Sequence, residues 1–414
     1  MQTITLPVAL EYCTGCSLCA QICPYGAIRM ENNAEGFLVP VIDQDACCQC
    51  GTCSERCPIN IESIPHNRAE KQEVFACQAR EEGLLMEATA GGLFPVAAQW
   101  VLNQGGVVFG AAYDKQMRVV HCAAHDMEGV RRFNGSKYVQ SDIGRALREA
   151  RDYLINDKIV LFSGTPCQID ALNQFCLDIS TQKLYTIDVV CYGVPSPKLF
   201  RMYLDTVERM HAGVKVVDFR FRDKHRYGWS HTTVITLQND RGKQTVLEEP
   251  DFRKIPYYRM FGARNCYRKS CYHCKYNTLE RRSDITTGNF WGIEKMSSAF
   301  DCRLGVSMAV INTGKGKTLF ENIESNMVVE RRTVEDAERA NDALVKDSIY
   351  PEQRDAIYEC LNRRGLEAVI KKYYTVNTAY FIRKAIRKAK KIFGGGYLTD
   401  SPCRVFCAET QAAA

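Results

Sequence analysis

Cysteines in the first sixty residues recur with a spacing, C-x2-C-x2-C-x3-C-P, that is typical of chains binding two [4Fe–4S] clusters. The run occurs twice, ending at Pro24 and again at Pro58. In such pairs of runs, three thiolates hold one cluster and the fourth thiolate reaches across to the other cluster. The predicted ligands are Cys13, Cys16, Cys19 and Cys57 for cluster one, and Cys47, Cys50, Cys53 and Cys23 for cluster two.

Structural zinc is the alternative for closely spaced cysteines, because zinc sites also use C-x2-C pairs. A zinc ion needs four ligands and has no use for the third close cysteine or for the proline that ends each run. We therefore favour two [4Fe–4S] clusters over zinc. Such clusters transfer one electron at a time, so the chemistry indicated for this part of the chain is electron transfer.

A further set of cysteines lies in the middle of the chain. Cys271 and Cys274 form a C-x2-C pair, and Cys266 lies just upstream. Cys167 follows a predicted strand and Cys191 ends another; the ends of neighbouring parallel strands lie side by side, so these two can approach each other. From spacing alone, a buried structural role explains Cys167 and Cys191 more simply, and the C-x2-C pair leaves a metal site and a structural role open.

Composition narrows the class of protein. Hydrophobic residues make up 46% and charged residues 25% of the 414 residues, as in ordinary globular proteins. The 21 cysteines are unusual, and ligand spacing in a chain of this size favours a reducing compartment over disulfides. Without a secretory signal or an apolar run long enough to cross a bilayer, we expect a cytoplasmic protein. A net charge of +6 does not indicate nucleic-acid binding.

The elements that must position these cysteines fall into two domains. Residues 1–62 form a short internal repeat and predict a two-cluster ferredoxin fold, and the polar stretch 61–82 is interpreted as a linker. From residue 83, helices alternate with strands, which predicts an α/β domain with a mixed sheet. The predicted fold class is therefore α+β. Residues 351–414 form a basic helical tail, either a solvated helix or a docking element for an anionic membrane surface or acidic partner.

Polar, glycine-containing turns lie where strands of the larger domain should end. They are Thr89–Gly92, Gly135–Tyr138, Ser163–Pro166 and Asp284–Gly288. None matches the G-x-G-x-x-G or Walker A pattern, and each alone is more often an ordinary turn. Together they suggest a cofactor cradle without a nicotinamide fingerprint, since helix N-termini and small turns can bind phosphate.

Six ordered motifs give the chain a resemblance to the coenzyme F420 hydrogenase/dehydrogenase beta-subunit family of iron–sulfur flavoproteins, here joined to an N-terminal two-cluster ferredoxin. The motifs are ATAGGLF from Ala88, GSKYVQS from Gly135, FSGTPCQ from Phe162, DVVCYGVPSP from Asp188, SCYHCK from Ser270 and SDITTG from Ser283. The resemblance divides the larger domain into an N-terminal-type region, 83–160, and a C-terminal-type region, 161–350. It also implies bound FAD and a third [4Fe–4S] cluster on Cys167, Cys191, Cys271 and Cys274, with Cys266 as the substitute if one assignment fails.

The resemblance further implies which residues contact FAD. The predicted contacts are Gly91, Gly92, Gly135, Ser136, Lys137, Tyr138, Ser141, Thr165, Asp284, Thr286 and Gly288. Lys137 is expected near the isoalloxazine ring, where a cation stabilises the anionic reduced flavin; pairing with the FAD pyrophosphate is its alternative role. The segment Arg222–Trp229 is basic and aromatic, and we interpret it as a hairpin loop with solvated charge rather than as a contact for an anionic substrate.

The expected activity is an oxidoreductase that exchanges a hydride with F420 or another organic substrate at FAD and passes single electrons through clusters to a ferredoxin-like partner. The alternative is an electron-transfer subunit of a larger redox complex without a substrate of its own. A redox sensor with a reactive Cys48 or Cys77 is a third hypothesis.

Overall fold

The computed structural model describes residues 7–61 and 68–374. The helices are α1 (Leu18–Ile22), α2 (Thr52–Glu55), α3 (Glu82–Glu87), α4 (Leu93–Asn103), α5 (Met127–Arg131), α6 (Ala146–Ile155), α7 (Pro166–Phe175), α8 (Pro197–Met210), α9 (Pro256–Gly262), α10 (Gly314–Ile323), α11 (Val334–Ala340) and α12 (Arg354–Tyr373). The strands are β1 (Ile28–Asn32), β2 (Leu38–Ile42), β3 (Arg68–Ala79), β4 (Val107–Tyr113), β5 (Val119–Ala124), β6 (Val160–Gly164), β7 (Leu184–Val189), β8 (Val214–Arg220), β9 (Thr233–Asn239), β10 (Gln244–Glu249), β11 (Ile285–Asn289), β12 (Ser307–Thr313) and β13 (Met327–Arg332). Helices and strands mix in both regions, so the predicted α+β organisation is confirmed.

The N-terminal module is small, and loops dominate it. β1 and β2 pair antiparallel, from Ile28 opposite Ile42 to Asn32 opposite Leu38. Each cysteine loop is followed by one short helix, α1 or α2. Ser17 and Gly51 directly precede these helices in the left-handed region, with φ of 61° and 78°. Such backbone bends let a short loop turn several cysteine side chains toward one point.

The larger domain is built on an eight-stranded mixed sheet in the order β13-β3-β12-β11-β7-β6-β4-β5. Its centre is parallel, because β4 pairs with β6, β6 with β7 and β7 with β11 in the same direction. The carboxyl ends of these four strands therefore share one edge. In open α/β sheets, ligands bind outside that edge.

The polar stretch interpreted as a linker is instead partly sheet. Residues 68–79 form β3, which lies between β12 and β13 and pairs antiparallel with both. Val74 and Ala76 are buried on one face, and Cys77 is buried without exposure. The run of charged residues before Val74 hides the strand signal, because only the second half of β3 is apolar.

Helices cover both faces of the sheet. One face of the sheet is covered by α4 and α10, which contribute Leu93, Val96 and Phe320 to the core on that side. The opposite face carries α6 and α7, with Ile169 and Leu172 in its core. Leu18 of α1 enters this second core with an exposure of 1%, so the N-terminal module packs into the larger domain. Burying such a leucine contributes about 1.5–3 kcal/mol.

A separate three-stranded sheet, β10-β9-β8, forms an aromatic core with α8, α9 and α12. α12 bends at Gly365, whose φ of 79° lies in the left-handed region. Of the predicted basic tail, residues 354–373 are helical, and the cationic stretch 382–393 lies outside the described residues. Within the described ranges, no helix is both long and apolar enough to cross a membrane.

Candidate redox site

The cysteines predicted for cluster one lie together at the contact between the module and the larger domain. Burial raises the pKa of the Cys16 thiol to about 12, and the neighbouring Cys13, Cys167 and Cys57 thiols raise it further. Burial also raises the pKa of Cys19, with added effects from the Cys16, Cys13 and Cys57 thiols. The structure thus brings Cys57 of the second run to the three leading cysteines of the first run, as predicted.

The cysteines predicted for cluster two line a cavity of about 410 Å³ in the outer part of the module. All four of them are in its wall: Cys23, Cys47, Cys50 and Cys53. Burial raises the pKa of Cys53, and the other three thiols add to the effect. The Sγ atom of Cys50 lies 3.4 Å from Thr52 Oγ1, and this hydrogen bond lowers the pKa of Cys50. A cavity walled by four thiols has the donor set of a [4Fe–4S] cluster.

Four further cysteines from separate segments converge in the larger domain. Cys167 is in the first turn of α7, which begins at Pro166 behind the capping residue Thr165. Burial raises the pKa of the Cys191 thiol well above its usual value, and the next causes are the Cys271, Cys167 and Cys274 thiols. Strand-end placement and the C-x2-C pair therefore meet at one point, as expected for parallel strands.

Cys266 does not join this group. It is fully buried, and burial raises the pKa of its thiol, with Arg354 as the nearest charge that lowers it. Its neighbours include the phenols of Tyr257, Tyr267 and Tyr358, whose pKa values rise mainly through burial. Cys266 is thus a core residue of the aromatic cluster.

The arrangement differs from that of a single-ion site. Across residues 7–61 and 68–374, no three His, Cys, Asp or Glu side chains are close enough to hold one metal ion. A zinc ion draws four ligands to one centre, whereas each thiolate of a [4Fe–4S] cube binds a different iron and stands further from the others.

A buried hydrogen-bond network joins the module to the larger domain. Arg268 is 3% exposed, and it donates from Nε to the Cys13 carbonyl at 2.5 Å and from Nη2 to the Leu38 carbonyl at 2.9 Å. Gln140 accepts from Arg268 Nη1 at 3.2 Å and donates to the Thr14 carbonyl at 2.9 Å. These bonds fix the first cysteine loop against the larger domain, since buried polar groups are costly to leave unpaired.

An ion pair fixes the hairpin of the module to α12. The guanidinium of Arg354 has no exposure and donates to both carboxylate oxygens of Glu35 at 2.6 Å. Arg354 also donates to the Tyr267 carbonyl at 2.8 Å. Bidentate pairs of this kind fix orientation as well as distance.

A cavity of about 1410 Å³ opens at the carboxyl ends of the parallel strands. Cys167 and Cys191 are in its wall, so the convergent cysteines border it directly. Typical ligand pockets measure about 300–1,000 Å³, and this cavity has room for a large cofactor and a second molecule.

Most predicted flavin contacts line this cavity. Those in its wall are Gly92, Gly135, Ser136, Lys137, Tyr138, Ser141, Thr165 and Gly288. Two of the predicted segments also touch, because Ser136 donates to Thr89 Oγ1 at 3.2 Å. The cavity therefore gathers segments that are far apart in the sequence.

Gly91, Asp284 and Thr286 are not in the cavity wall. Asp284 precedes β11, at the opposite end of the strand from the cavity, and its carboxylate accepts from the Thr186 amide at 2.9 Å and from Thr313 Oγ1 at 2.6 Å. The Thr286 hydroxyl accepts from Asn312 at 3.0 Å within the sheet. A side chain at Gly91 would meet the Cys77 carbonyl at 2.1 Å. The structure gives these three residues packing roles: Asp284 and Thr286 lie toward the amino end of β11, and Gly91 packs against the Cys77 backbone.

Lys137 caps a turn at the cavity wall. Its Nζ donates to the carbonyls of Phe133 at 3.2 Å, Asn134 at 3.0 Å and Gly135 at 3.4 Å. Burial lowers the pKa of Lys137 to about 8, while Asp218 raises it. The amine thus changes charge near neutral pH.

Sequence patterns missed two residues of the cavity wall. His121 on β5 contacts the Ser163 carbonyl through Nε2 at 3.0 Å, and burial lowers its pKa to about 4. A single histidine in a strand gives no functional signal. Arg222 also lines the cavity, with an exposure of 6%. The prediction that the charged side chains of the segment Arg222–Trp229 are solvated is wrong for Arg222, Asp223 and Lys224, because these residues are buried. It holds for Arg226, which is exposed.

Two family models match the chain. Residues 157–337 match the model for the C terminus of the coenzyme F420 hydrogenase/dehydrogenase beta subunit. Residues 12–61 match the 4Fe-4S dicluster domain. Residues 12–61 are therefore similar to a 4Fe-4S dicluster domain, and residues 157–337 are similar to the C-terminal domain of the F420 hydrogenase/dehydrogenase beta subunit, in agreement with the resemblance that the motifs indicated.

Two individual relatives are similar to the chain: one matches only a short part of it, and the other matches most of it at low sequence identity. An uncharacterized ferredoxin of Methanocaldococcus jannaschii is 45% identical over 47 residues, which are 11% of this chain and 27% of that protein. The match therefore spans about a quarter of the curated relative. A solved chain of the F420-reducing [NiFe] hydrogenase complex from Methanosarcina barkeri is 16% identical, covering 82% of this chain and 99% of its own length with a TM-score of 0.41.

Proposed function

We propose that the protein is an FAD-dependent iron–sulfur oxidoreductase that couples hydride chemistry on an organic carrier, F420 or another, to one-electron exchange with a ferredoxin-like partner. The observation that carries this proposal is the cavity of about 1410 Å³ with Cys167 and Cys191 in its wall. A purely electron-transferring subunit has no need for a ligand-sized cavity beside its cysteines.

Cys167, Cys191, Cys271 and Cys274 are proposed to hold a third [4Fe–4S] cluster. Four thiols and no carboxylate or imidazole make the donor set that such clusters take. Arg268, buried beside this group, lowers the pKa of Cys167 and Cys271 against the larger effect of burial. A fixed cation favours the thiolate forms that bind iron.

The positions of the cysteine groups suggest the order in which electrons would pass between the proposed clusters. The thiol of Cys167 is an electrostatic neighbour of Cys16, which supports a third cluster adjacent to cluster one. Tyr276 lies near both Cys167 and Cys16. Cys48 and Cys50 of the second run are exposed, at the far side of the module. The proposed order is therefore partner, cluster two, cluster one, third cluster, cavity.

FAD supplies the step that clusters lack, because it exchanges a hydride and releases or takes up single electrons. The residues present fit it: the turn at Gly135 and the strand residue Gly288 have no side chains and leave room for a flat ring system, and Lys137 offers a positive charge. The three carbonyls that hold the Lys137 amine fix its position in the wall. Tyr138 stacks on Phe261 with ring centroids 4.1 Å apart, which makes that wall rigid and apolar.

The location and partners follow the same proposal. Every cysteine in the part of the chain that the structure describes is free of disulfides, which suits a cytoplasmic, reducing environment. Of the sensor candidates, Cys77 has no exposure and burial raises its pKa to about 12, which disfavours a reactive thiolate. The basic tail remains a proposed docking element.

The deciding experiment is an anaerobic purification followed by counts of iron, sulfide and released flavin per chain. The proposal expects about twelve irons and one FAD, the sum for three cubes. About eight irons without flavin would contradict it and favour the electron-transfer subunit. Flavin bleaching by a reduced two-cluster ferredoxin would then show that cavity and clusters communicate.

A further inference from the structure

Arg222 is a buried cation in the cavity wall without a matching anion. Its exposure is 6%, and its Nε donates to the Ser230 carbonyl at 3.2 Å. Its Nη2 is buried and has no hydrogen-bond partner among the described residues. A guanidinium cannot lose its proton in proteins, so the positive charge stays in the cavity wall.

The acidic residues of the same segment are already engaged elsewhere. Asp223 accepts from Arg220 at 2.6 Å and contacts His225 Nδ1 at 3.0 Å. Lys224 is buried by donating to the Ala90 carbonyl at 2.9 Å and the Leu304 carbonyl at 2.6 Å. These contacts fix the segment to the loops at Ala90 and Leu304, and its one acidic residue, Asp223, is engaged by Arg220 and His225 rather than by Arg222.

Flat aromatic rings lie beside this cation. The guanidinium carbon of Arg222 is 4.8 Å from the Trp291 ring centroid and 5.8 Å from that of Trp229. The two indoles stack with centroids 4.4 Å apart at 12°. His231 is nearly parallel to Trp291, at 7° and 5.9 Å, and both line the cavity. Such a surface suits a planar ring, and a fork of N–H donors suits a carboxylate or phosphate.

We propose that Arg222 and Trp291 form an anion subsite that binds a carboxylate or phosphate group of the substrate. Burying a charge without a partner is costly, so a bound oxyanion is the expected complement of Arg222. The assignment of this subsite to the substrate rests on the proposed function. It deepens that function because it specifies the hydride carrier as a planar molecule that bears a carboxylate or phosphate. The same oxyanion chemistry occurs in the pyrophosphate of FAD, and the test separates the two.

The test is isothermal titration of the anaerobically purified protein with phenyl phosphate, and with phenol as the matched neutral ring. Wild type should bind phenyl phosphate and not phenol. Arg222→Gln should weaken binding about ten- to hundredfold, the loss expected for hydrogen bonds to a charged group. Arg222→Lys, which keeps the charge but not the fork, should fall between them. Arg226→Gln is the matched control, since Arg226 is exposed and pairs with Glu248 at 2.9 Å.

Iron and flavin contents are measured on every variant. Unchanged contents with lost phenyl phosphate binding support the subsite. No binding by wild type, or equal binding by Arg222→Gln, would overturn it, and so would loss of flavin in both Arg222 variants, which would assign Arg222 to FAD. The titration does not need flavin, so a flavin-free protein with Arg222-dependent binding would refute the proposed function and leave the anion subsite standing.

Discussion

The two halves of the N-terminal module carry the same cysteine run in opposite surroundings. The loop of the first run is enclosed: Cys13 is buried, and its carbonyl accepts from Arg268 of the larger domain at 2.5 Å. The loop of the second run faces outward, with Cys48 and Cys50 exposed. In the proposed relay, the same cysteine pattern would therefore serve both ends, and the contacts with the larger domain rather than the cysteines would decide which end faces the cavity.

The strongest test of this difference removes one ligand from each half. Cys13→Ala should stop flavin reduction by a reduced two-cluster ferredoxin, because cluster one lies next to Cys167. Cys50→Ala should slow the reaction and leave a measurable rate, because cluster one still lies between the partner and the cavity. Stopped-flow bleaching of the flavin measures both. Equal rates in the two variants, or full activity in Cys13→Ala, would contradict the relay order.

Contacts between the N-terminal module and the larger domain should also contribute more to the free energy of unfolding than exposed contacts within the module. Glu35→Gln removes the bidentate partner of the buried Arg354 guanidinium and leaves it only one carboxylate contact, at 3.0 Å with the exposed Asp355, so we expect a loss of about 3 kcal/mol of unfolding free energy. Arg29→Gln is the matched control, because the Arg29–Glu31 pair of the same hairpin is 60% and 48% exposed and surface pairs contribute little. Anaerobic guanidinium unfolding followed by circular dichroism compares them. Equal losses would show that the hairpin is not anchored through Glu35.

The smallest effect concerns Lys137 at the cavity end of the relay. Burial lowers its pKa to about 8, so the amine is charged below that pH and neutral above it. A cation near the flavin raises its reduction potential. Wild type should therefore have a higher flavin potential than Lys137→Met at pH 6.5, and the difference should vanish at pH 9.5. Spectroelectrochemical titration measures it, and a difference that persists at pH 9.5 would remove Lys137 from the flavin's surroundings.

Spacing alone predicted the two cysteine runs of the N-terminal module and the exchange of Cys23 and Cys57 between them. The group of Cys167, Cys191, Cys271 and Cys274 was implied by the family resemblance instead, because spacing alone favoured a buried structural role for Cys167 and Cys191. Strand direction was harder to predict. Asp284 and Thr286 share a motif with Gly288, yet they lie toward the amino end of β11 and outside the cavity wall, whereas Gly288 and the unpredicted Thr287 line it.

Burial of charge was the least predictable feature. Charged residues at the start of β3 and in the segment Arg222–Trp229 indicate solvent exposure by composition. The start of β3 belongs to the sheet because β3 pairs with β12 and β13. In the segment Arg222–Trp229, the buried Lys224 donates to backbone carbonyls of distant loops. Such long-range partners leave no local signal in a single sequence.

The central claim is that Cys271 and its three partners hold a cluster between module and cavity. The most direct measurement is the iron and flavin content of Cys271→Ala against Cys266→Ala, a buried cysteine five residues away that lies outside the group. We expect Cys271→Ala to lose about four irons, to keep its flavin and to retain the spectroscopic signals of the N-terminal clusters, while Cys266→Ala keeps all its iron. Unchanged iron in Cys271→Ala would contradict the third cluster and, with it, the link between the clusters and the cavity.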